Sequence, residues 1–221
     1  MFPYINIHTH QLKKNAAEIS ISNWFTTSVE HRQLLENYAA GLHPWFIDEV
    51  QTELQFQQVI NAAQDAKCKA IGECGLDKLK GPEITVQTAL FLRHIELAMQ
   101  LNKPVIVHCV HAFDKLSSII KKYRNRVVFI IHGFNQNEQT AMQLLKLGAY
   151  LSFGASLLNE KQLKLKAIFR EIPNSRIFLE NDASEIHIEE IFEVAATLKK
   201  CDVSTMKEVI FANYKTVFLN E

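Results

Sequence analysis

The sequence predicts an α/β protein with the fold of a compact (β/α)8 barrel. Short apolar segments rich in β-branched residues alternate with longer segments of helical period, about eight of each. Several apolar segments, such as Val127–Ile131, are continuously hydrophobic, which is typical of parallel strands buried on both faces. The chain has 221 residues, which accommodates eight strand–helix units only if the loops are short.

The predicted strands are short apolar runs bounded by polar residues or glycine. In chain order they are Tyr4–His10, Ile19–Thr26, Ala39–His43, Ala70–Leu76, Val105–Val110, Val127–Phe134, Ala149–Phe153 and Arg176–Asp182.

The predicted helices are recognised by apolar residues three or four positions apart. They are Glu30–Tyr38, which is short, Glu53–Ala66, Thr85–Leu101, Ala112–Tyr123, Glu138–Leu147, Lys161–Arg170, Ile188–Lys199 and Ser204–Leu219. Asn137 and Ser204 are expected to cap helix N-termini, and Gly148 is expected to follow a helix C-terminus.

The sequence indicates one domain over residues 1–221, because no linker rich in proline, glycine or serine interrupts the alternation. A doubly wound open sheet is the main alternative fold. Neither a GxGxxG nor a GxxxxGK[ST] loop is present to favour nucleotide binding in such a sheet.

Composition excludes several classes of function. Lys and Arg number 24, as do Asp and Glu, so any contact with nucleic acid should be local rather than a general electrostatic grip. No apolar run approaches the ~18 residues that a membrane span needs. The N-terminus lacks the basic start and apolar stretch of a signal peptide. With four cysteines and no CxxC pair, we expect a cytoplasmic protein with free thiols.

The chemistry is predicted at the ends of the strands. His8 and His10 are two residues apart, so both side chains should point to one face. In a parallel barrel all strand C-termini open onto one rim, where active sites lie. Six possible metal ligands from five strands should converge there: His8, His10, Glu73, His108, His132 and Asp182.

Each of these six residues alone is weak evidence, since a single histidine at a strand end is often just hydrogen-bonded at the edge of a core. As a set they favour a divalent cation, because buried ligand groups need a compensating partner. Four imidazoles and two carboxylates suit Zn, Mn, Co or Fe, with Mg at a weaker site. Six ligands suffice for two metal ions that share a carboxylate, which favours hydrolysis without selecting the bond broken.

The motifs, in their order along the chain, resemble those of the TatD-type metal-dependent hydrolases. The resemblance covers nearly the whole sequence. The motifs are Asn6-Ile-His-Thr-His, Gly41-Leu-His-Pro-Trp, Ile71-Gly-Glu-Cys-Gly-Leu-Asp, Asn102-Lys-Pro-Val-Ile-Val-His-Cys, Ile131-His-Gly-Phe, Leu147-Gly-Ala-Tyr-Leu-Ser-Phe-Gly, Leu179-Glu-Asn-Asp and Ala212-Asn-Tyr-Lys-Thr-Val-Phe.

The resemblance implies an amidohydrolase-like TIM barrel with a metal-dependent DNase or phosphodiesterase activity. It implies one metal held by His8, His10, Glu73 and Asp182, and a second held by Glu73, His108 and His132, so that Glu73 bridges both. It also implies that Asp182 orients or deprotonates the attacking water, which makes Asp182 and Glu73 the expected catalytic residues.

The chain departs from the family pattern at positions expected to touch substrate. Asn6 stands where Asp is frequent, Val110 where Arg is frequent, and Ala183 where a Ser-Pro-aromatic sequence usually begins. His111 could replace the missing Arg, or simply begin the next helix. His43 could contact substrate phosphate, or shape the His-Pro turn.

We therefore expect a TatD-related deoxyribonuclease with two divalent metal ions. The alternatives are another metal-dependent esterase, such as an aminoacyl-tRNA deacylase or a small-molecule phosphodiesterase, and a metal-binding protein without catalytic activity. The expected partner is DNA or another ester substrate, with no membrane and no stable protein partner. Because no dimerisation face is recognisable, we expect a monomer.

Overall fold

The computed structural model describes residues 2–11, 17–25 and 30–219. Its strands are β1 (Tyr4–Thr9), β2 (Glu18–Trp24), β3 (Tyr38–Ala40), β4 (Cys68–Asp77), β5 (Val105–Val110), β6 (Phe129–Ile131), β7 (Tyr150–Phe153) and β8 (Ile177–Leu179). Its α-helices are α1 (Thr52–Ala63), α2 (Ile84–Leu101), α3 (Phe113–Tyr123), α4 (Glu138–Lys146), α5 (Leu163–Glu171), α6 (Ile188–Lys199) and α7 (Val203–Tyr214). Among these residues, no helix is both long and apolar enough to span a membrane.

The order of the strands confirms the predicted fold class, a (β/α)8 barrel. The strands follow one another in the sheet from β1 to β8, as they do in the chain. The pairs from β2 to β6, and the pair of β7 with β8, are parallel. A further parallel bridge joins Thr9 to Asp182, beside the ends of β1 and β8. This order excludes the doubly wound alternative, in which the strand order reverses at a switch point.

The chain divides into two compact units, each described by itself below. The first unit comprises Met1–Ile21 and His132–Glu221, and the second comprises Ser22–Ile131. The prediction of a single domain over residues 1–221 stays a prediction.

The second unit contains β3 to β6 and α1 to α3. Every residue of β3 and β6 is buried, as are nearly all residues of β4, because these strands are covered on both faces. Helix α2 packs on β4 and buries Phe91 and Ile95. Burial of an aromatic or aliphatic side chain of this size stabilises a fold by about 1.5–3 kcal/mol.

The first unit contains β1, β7, β8 and α4 to α7. Its strands carry aromatic residues into the core, and the ring of Phe153 contacts both Phe134 and Phe169 edge-on, at centroid distances of 5.6 and 4.9 Å. Such pairs add about 0.5–1.5 kcal/mol each to the burial of their area. Helix α7 packs against β1 and β8, so it holds together the strands that carry the first candidate ligands.

Several predicted boundaries differ from the structure for local reasons. The strand predicted over Val127–Phe134 is shorter, because the Val127 N–H bonds to the C-terminus of α3 and Gly133 adopts φ 55°. The segment Glu30–Tyr38 forms a 3-10 helix only over Glu30–Leu34, since Tyr38 already begins β3. Thr26, the end of the second predicted strand, lies outside the described residues.

The predicted helix caps are confirmed for α4 and wrong for α7. The Asn137 side chain accepts a hydrogen bond from the N–H of Thr140, and Gly148 adopts φ 87° after the helix. Helix α7 is capped by Asp202 rather than Ser204, because the Asp202 carboxylate accepts the N–H of Thr205 at 2.7 Å. The α-helical part of α7 ends at Tyr214, and a π-helical segment follows over Lys215–Leu219.

Candidate functional site

In the second unit, Glu73 and His108 are brought together by the close approach of β4 and β5. Gly75 lies opposite His108 in the register. A Cβ atom on Gly75 would lie 2.0 Å from the His108 carbonyl oxygen, and Gly75 has φ 150°, so only glycine permits this approach. The Oε1 atom of Glu73 then lies 3.1 Å from Nδ1 of His108.

Asn23 on β2 holds the Glu73 carboxylate in place. Its Nδ2 donates to Glu73 Oε2 at 2.6 Å, and its Oδ1 accepts the backbone N–H of Glu73 at 3.2 Å. Glu73 is buried, so these bonds fix both the backbone and the side chain of a candidate ligand. Sequence reasoning missed Asn23, although a polar residue near the end of a predicted strand was a signal in its own right.

His43 is buried and both of its ring nitrogens have partners. Its Nδ1 accepts the backbone N–H of Trp45 at 3.1 Å, so a neutral ring carries its proton on Nε2. That nitrogen lies 3.1 Å from Oε1 of Glu73. His43 therefore orients Glu73, and its predicted contact with substrate stays a prediction.

His108 lies between two carboxylates, because Asp77 approaches its other nitrogen. Oδ2 of Asp77 lies 3.1 Å from Nε2 of His108. Ionised carboxylates only accept hydrogen bonds, and a neutral imidazole has a single N–H. If that N–H is on Nε2, it donates to Asp77, and the lone pair of Nδ1 then points toward Glu73 Oε1. A cation between Nδ1 and Oε1 would accept electron density from both atoms.

Asp77, which sequence reasoning also missed, accepts several hydrogen bonds at the end of β4. Burial raises the pKa of its carboxyl, but the hydrogen bonds of Trp45, His108 and two backbone N–H groups lower that pKa by more, so it lies below the usual value. The alternation of side chains along a strand was a signal for Asp77, because Glu73, Gly75 and Asp77 are two residues apart and share one face of β4.

In the first unit, Asp182 lies close to His8 of β1 and to His10, which follows that strand. Its Oδ1 lies 3.4 Å from Nε2 of His8 and 3.2 Å from Nε2 of His10. The backbone fixes this approach, because the Asp182 N–H donates to the His8 carbonyl and the His10 N–H donates to the Asp182 carbonyl, each at 3.0 Å. Asp182 has φ 53°, a left-handed conformation that aspartate adopts more readily than most residues other than glycine.

The Asp182 carboxyl combines partial exposure with a lowered pKa. Burial raises its pKa, whereas the hydrogen bonds of His10 and His8 and the nearby His132 lower it by more, so it lies well below the usual range. The side chain is nevertheless 43% exposed, while His8 is fully buried. Asp182 is therefore an ionised acceptor within reach of solvent.

His132 follows β6 and contacts the buried carboxylate of Glu180. Its Nδ1 lies 3.4 Å from Oε1 of Glu180. The same carboxylate accepts the N–H of Gly133 at 2.6 Å and the hydroxyl of Ser152 at 2.5 Å. Glu180 thus lies close to His132, and the His132 ring lies 4.5 Å from that of His8.

The donor atoms of each unit fit a divalent metal ion. Ligands bound at about 2.0–2.2 Å from one ion lie about 3.0–3.5 Å apart, which the contacts of 3.1–3.4 Å match. In the first unit, the ligand atoms of His8, His132 and Asp182 all lie within 4.8 Å of one another. In the second unit the same holds for one ligand atom each of His43, Glu73 and His108, although both ring nitrogens of His43 already have partners, which leaves Glu73 and His108 as the candidate ligands.

The roles that the sequence suggests for these residues, as metal ligands and as catalytic residues, stay predictions, and so does the sharing of Glu73 between two metal ions. The predicted substrate contact of His111 also stays a prediction: His111 is exposed, it lies one residue beyond β5 with φ 52°, and it belongs to no such donor group within the described part of the chain.

Comparisons with known proteins place this donor set in a family context. The family model of the TatD related DNase matches residues 6–219. The chain is 28% identical over 208 residues to the uncharacterized metal-dependent hydrolase YabD of Bacillus subtilis, which covers 84% of this chain and 80% of that protein. It is 27% identical over 196 residues to the protein of the same description, YcfH, of Escherichia coli, with 82% and 73% covered.

Solved structures share the fold. The TatD homolog YjjV of Escherichia coli superposes with a TM-score of 0.81 at 23% identity and covers 98% of both chains. A TatD family hydrolase from Entamoeba histolytica superposes with a TM-score of 0.80 at 15% identity and covers 100% of this chain and 99% of its own.

Proposed function

The chain belongs to the TatD-related DNase family, and on this premise we propose that it is a metal-dependent hydrolase that cleaves phosphodiester bonds in DNA. The observation that carries the proposal is the approach of Nε2 of His8 and Nε2 of His10 to one oxygen of Asp182. Two imidazoles and a carboxylate in this arrangement suit a catalytic divalent cation.

The residues that would hold metal are those placed at the strand ends. In the first unit they are His8, His10, His132 and Asp182, and in the second unit they are Glu73 and His108. A divalent cation there would supply Lewis acidity and make a water molecule acidic enough to attack at neutral pH.

The protein's own residues supply orientation and a proton acceptor. Asp182 is partly exposed and has an acceptor oxygen near His8 and His10, so it can orient a water molecule at the metal, and we assign it as the acceptor of that water's proton. Asp77 and Glu180 hold the rings of His108 and His132, which keeps their outer nitrogens directed at the cation. Asn23 does the same for Glu73.

The proposal is tested with metal-free protein and end-labelled single- and double-stranded DNA. Added Mg, Mn, Co or Zn should restore cleavage of at least one DNA, and Asp182→Asn should abolish most of it. If no metal supports cleavage of either DNA while an aminoacyl ester or a small phosphodiester is hydrolysed, the DNase proposal is wrong and the corresponding alternative is favoured. A cytoplasmic location and a monomeric state also remain proposals.

A further inference from the structure

We infer that Trp45 is a stacking surface for a nucleobase of the substrate, with Lys80 beside it to meet a backbone phosphate. This inference rests on the proposed function, because it names the substrate class of the same site, a single-stranded nucleic acid. We call Trp45, Phe46 and Lys80 the Trp45 shelf.

The shelf exposes large aromatic side chains immediately after His43. Trp45 and Phe46 are each 43% exposed, whereas Trp24, the other tryptophan of the chain, is 1% exposed. An exposed indole ring contributes less to the stability of the fold than a buried one, because less of its apolar surface is removed from water. Adjacent exposed aromatics beside candidate ligands are characteristic of a binding surface.

The Trp45 ring is held rigidly by its polar groups. Its backbone N–H donates to Nδ1 of His43 at 3.1 Å, and its indole N–H donates to Oδ2 of Asp77 at 2.6 Å. Since both donors are engaged within the protein and the Lys80 ammonium lies over one face of the ring, the rest of the exposed ring offers its apolar and π surface. A ring that is already fixed loses little conformational entropy when a ligand stacks on it.

The loop that carries Lys80 is fixed by the same carboxylate. Oδ1 of Asp77 accepts the N–H groups of Leu79 at 2.7 Å and Lys80 at 3.1 Å, and Gln87 donates to the Lys80 carbonyl at 3.1 Å. Gly81 packs against Pro44, where a Cβ atom would lie 2.4 Å from the carbonyl oxygen. The Lys80 ammonium lies over the Trp45 ring, 3.9 Å from its centre, so a base that stacks on this face would displace it toward the adjoining phosphate.

The shelf is continuous with the candidate ligands of the second unit. The ring of Trp45 lies 4.8 Å from that of His43 and 5.7 Å from that of His108. Oδ2 of Asp77 contacts both the Trp45 indole and the His108 imidazole. A base stacked on Trp45 would therefore place a neighbouring phosphate of the same strand near His108, with Lys80 available for its charge.

This geometry favours single strands. A π surface and one cation bind any base and its phosphate without reading the sequence, which is how single-stranded nucleic acids are bound. Bases in a duplex are covered by their neighbours and would have to be unstacked first. The zero net charge of the chain agrees with such a local contact in place of a broad basic surface.

The test compares cleavage of a single-stranded oligonucleotide with cleavage of a strand of the same length made entirely of abasic nucleotides. Wild type should prefer the strand with bases by about tenfold or more, as expected for one stacked base. Trp45→Ala should bring this ratio close to one, and Trp45→Phe should keep most of it. Leu54→Ala, which alters an exposed residue of α1, is the matched control and should keep the full ratio.

A binding measurement separates this inference from the proposed function. In EDTA, oligo(dA) should quench the exposed Trp45 fluorescence of wild type, while Trp45→Phe, which retains only the buried Trp24, should not respond. If oligo(dA) quenches the fluorescence but the protein cleaves no DNA with any added metal, the Trp45 shelf is supported and the DNase proposal is overturned. DNA cleavage with an unchanged ratio in Trp45→Ala and no quenching would overturn the shelf alone.

Discussion

Oδ2 of the buried Asp77 lies 3.1 Å from Nε2 of His108. The other ring nitrogen of His108, Nδ1, faces Oε1 of Glu73. Histidines that bind metal commonly donate their second N–H to such a carboxylate, which fixes the tautomer and the ring orientation. Glu180 stands in a comparable relation to His132 in the first unit. Asp77 and Glu180 should therefore have measurable effects on metal binding although neither would touch the metal.

Asp77→Asn should weaken metal binding about 10- to 100-fold, because the amide no longer compels His108 to place its proton on Nε2. Titration with a metallochromic indicator measures the change. Asp48→Asn, an exposed position of the same unit, should leave affinity at the wild-type value. Equal affinities in wild type and Asp77→Asn would show that Asp77 does not position His108.

Glu180→Gln should lower both metal affinity and stability. The carboxylate accepts two strong hydrogen bonds, from Gly133 and Ser152, and the amide group of Gln would oppose one of these donors. A buried donor left without an acceptor costs about 1–3 kcal/mol. Denaturant unfolding measures this loss, and Ser152→Ala gives the part that comes from the hydroxyl. A variant as stable as wild type and with unchanged affinity would contradict this role.

Asp182→Asn should keep the fold and lower kcat on DNA about 10²- to 10⁴-fold, the usual contribution of a general base. Circular dichroism and single-turnover cleavage at saturating metal measure the two effects. Asp202→Asn changes an exposed carboxylate that only caps α7 in the same unit, so it should cleave at the wild-type rate. Our assignment of the proton acceptor is wrong if Asp182→Asn retains full activity with metal bound.

His94 should make the protein less stable in acid. Its Nε2 accepts the N–H of Leu42 and its Nδ1 donates to the Leu90 carbonyl, so the folded state holds a neutral ring. Burial lowers its pKa from 6.5 to about 4. Between these values the unfolded chain takes up a proton that the folded chain does not, so stability present above pH 6.5 is lost as the pH falls toward 4.

The change from pH 7 to pH 4.5 should cost about 2–3 kcal/mol through this group. Denaturant unfolding of metal-free wild type and His94→Leu at both pH values isolates it, because other titrating groups are common to the two proteins. His94→Leu should be less stable than wild type at pH 7 and should lose less on acidification. Parallel losses in both proteins would rule out His94 as the source.

The fold could be predicted from the sequence because it depends on local periodicity. Alternation of apolar runs predicts the eight strands. The spacing of His8 and His10 predicts that their side chains share one face, and both rings lie near Asp182. Their role as metal ligands stays a prediction. The strand over Val127–Phe134 was predicted too long, since hydrophobicity does not reveal that Val127 closes a helix.

The supporting residues were harder to predict because their roles depend on contacts between segments far apart in the chain. Asn23 acts on Glu73 across 50 positions, and Asp77 acts on His108 across 31. Neither pairing has a spacing that a local pattern can show. Asp202 displaced Ser204 as a cap because both residue types cap helices equally well and only the dihedral angles decide.

The central claim, that these imidazoles and carboxylates hold a divalent metal ion, is tested most directly by anomalous scattering from crystals grown with Mn or Zn. The account predicts anomalous peaks about 2.0–2.2 Å from Nε2 of His8 and His10 and from the facing atoms of Glu73 and His108. Crystals that bind the metal elsewhere, with no peak at either donor set, would contradict it.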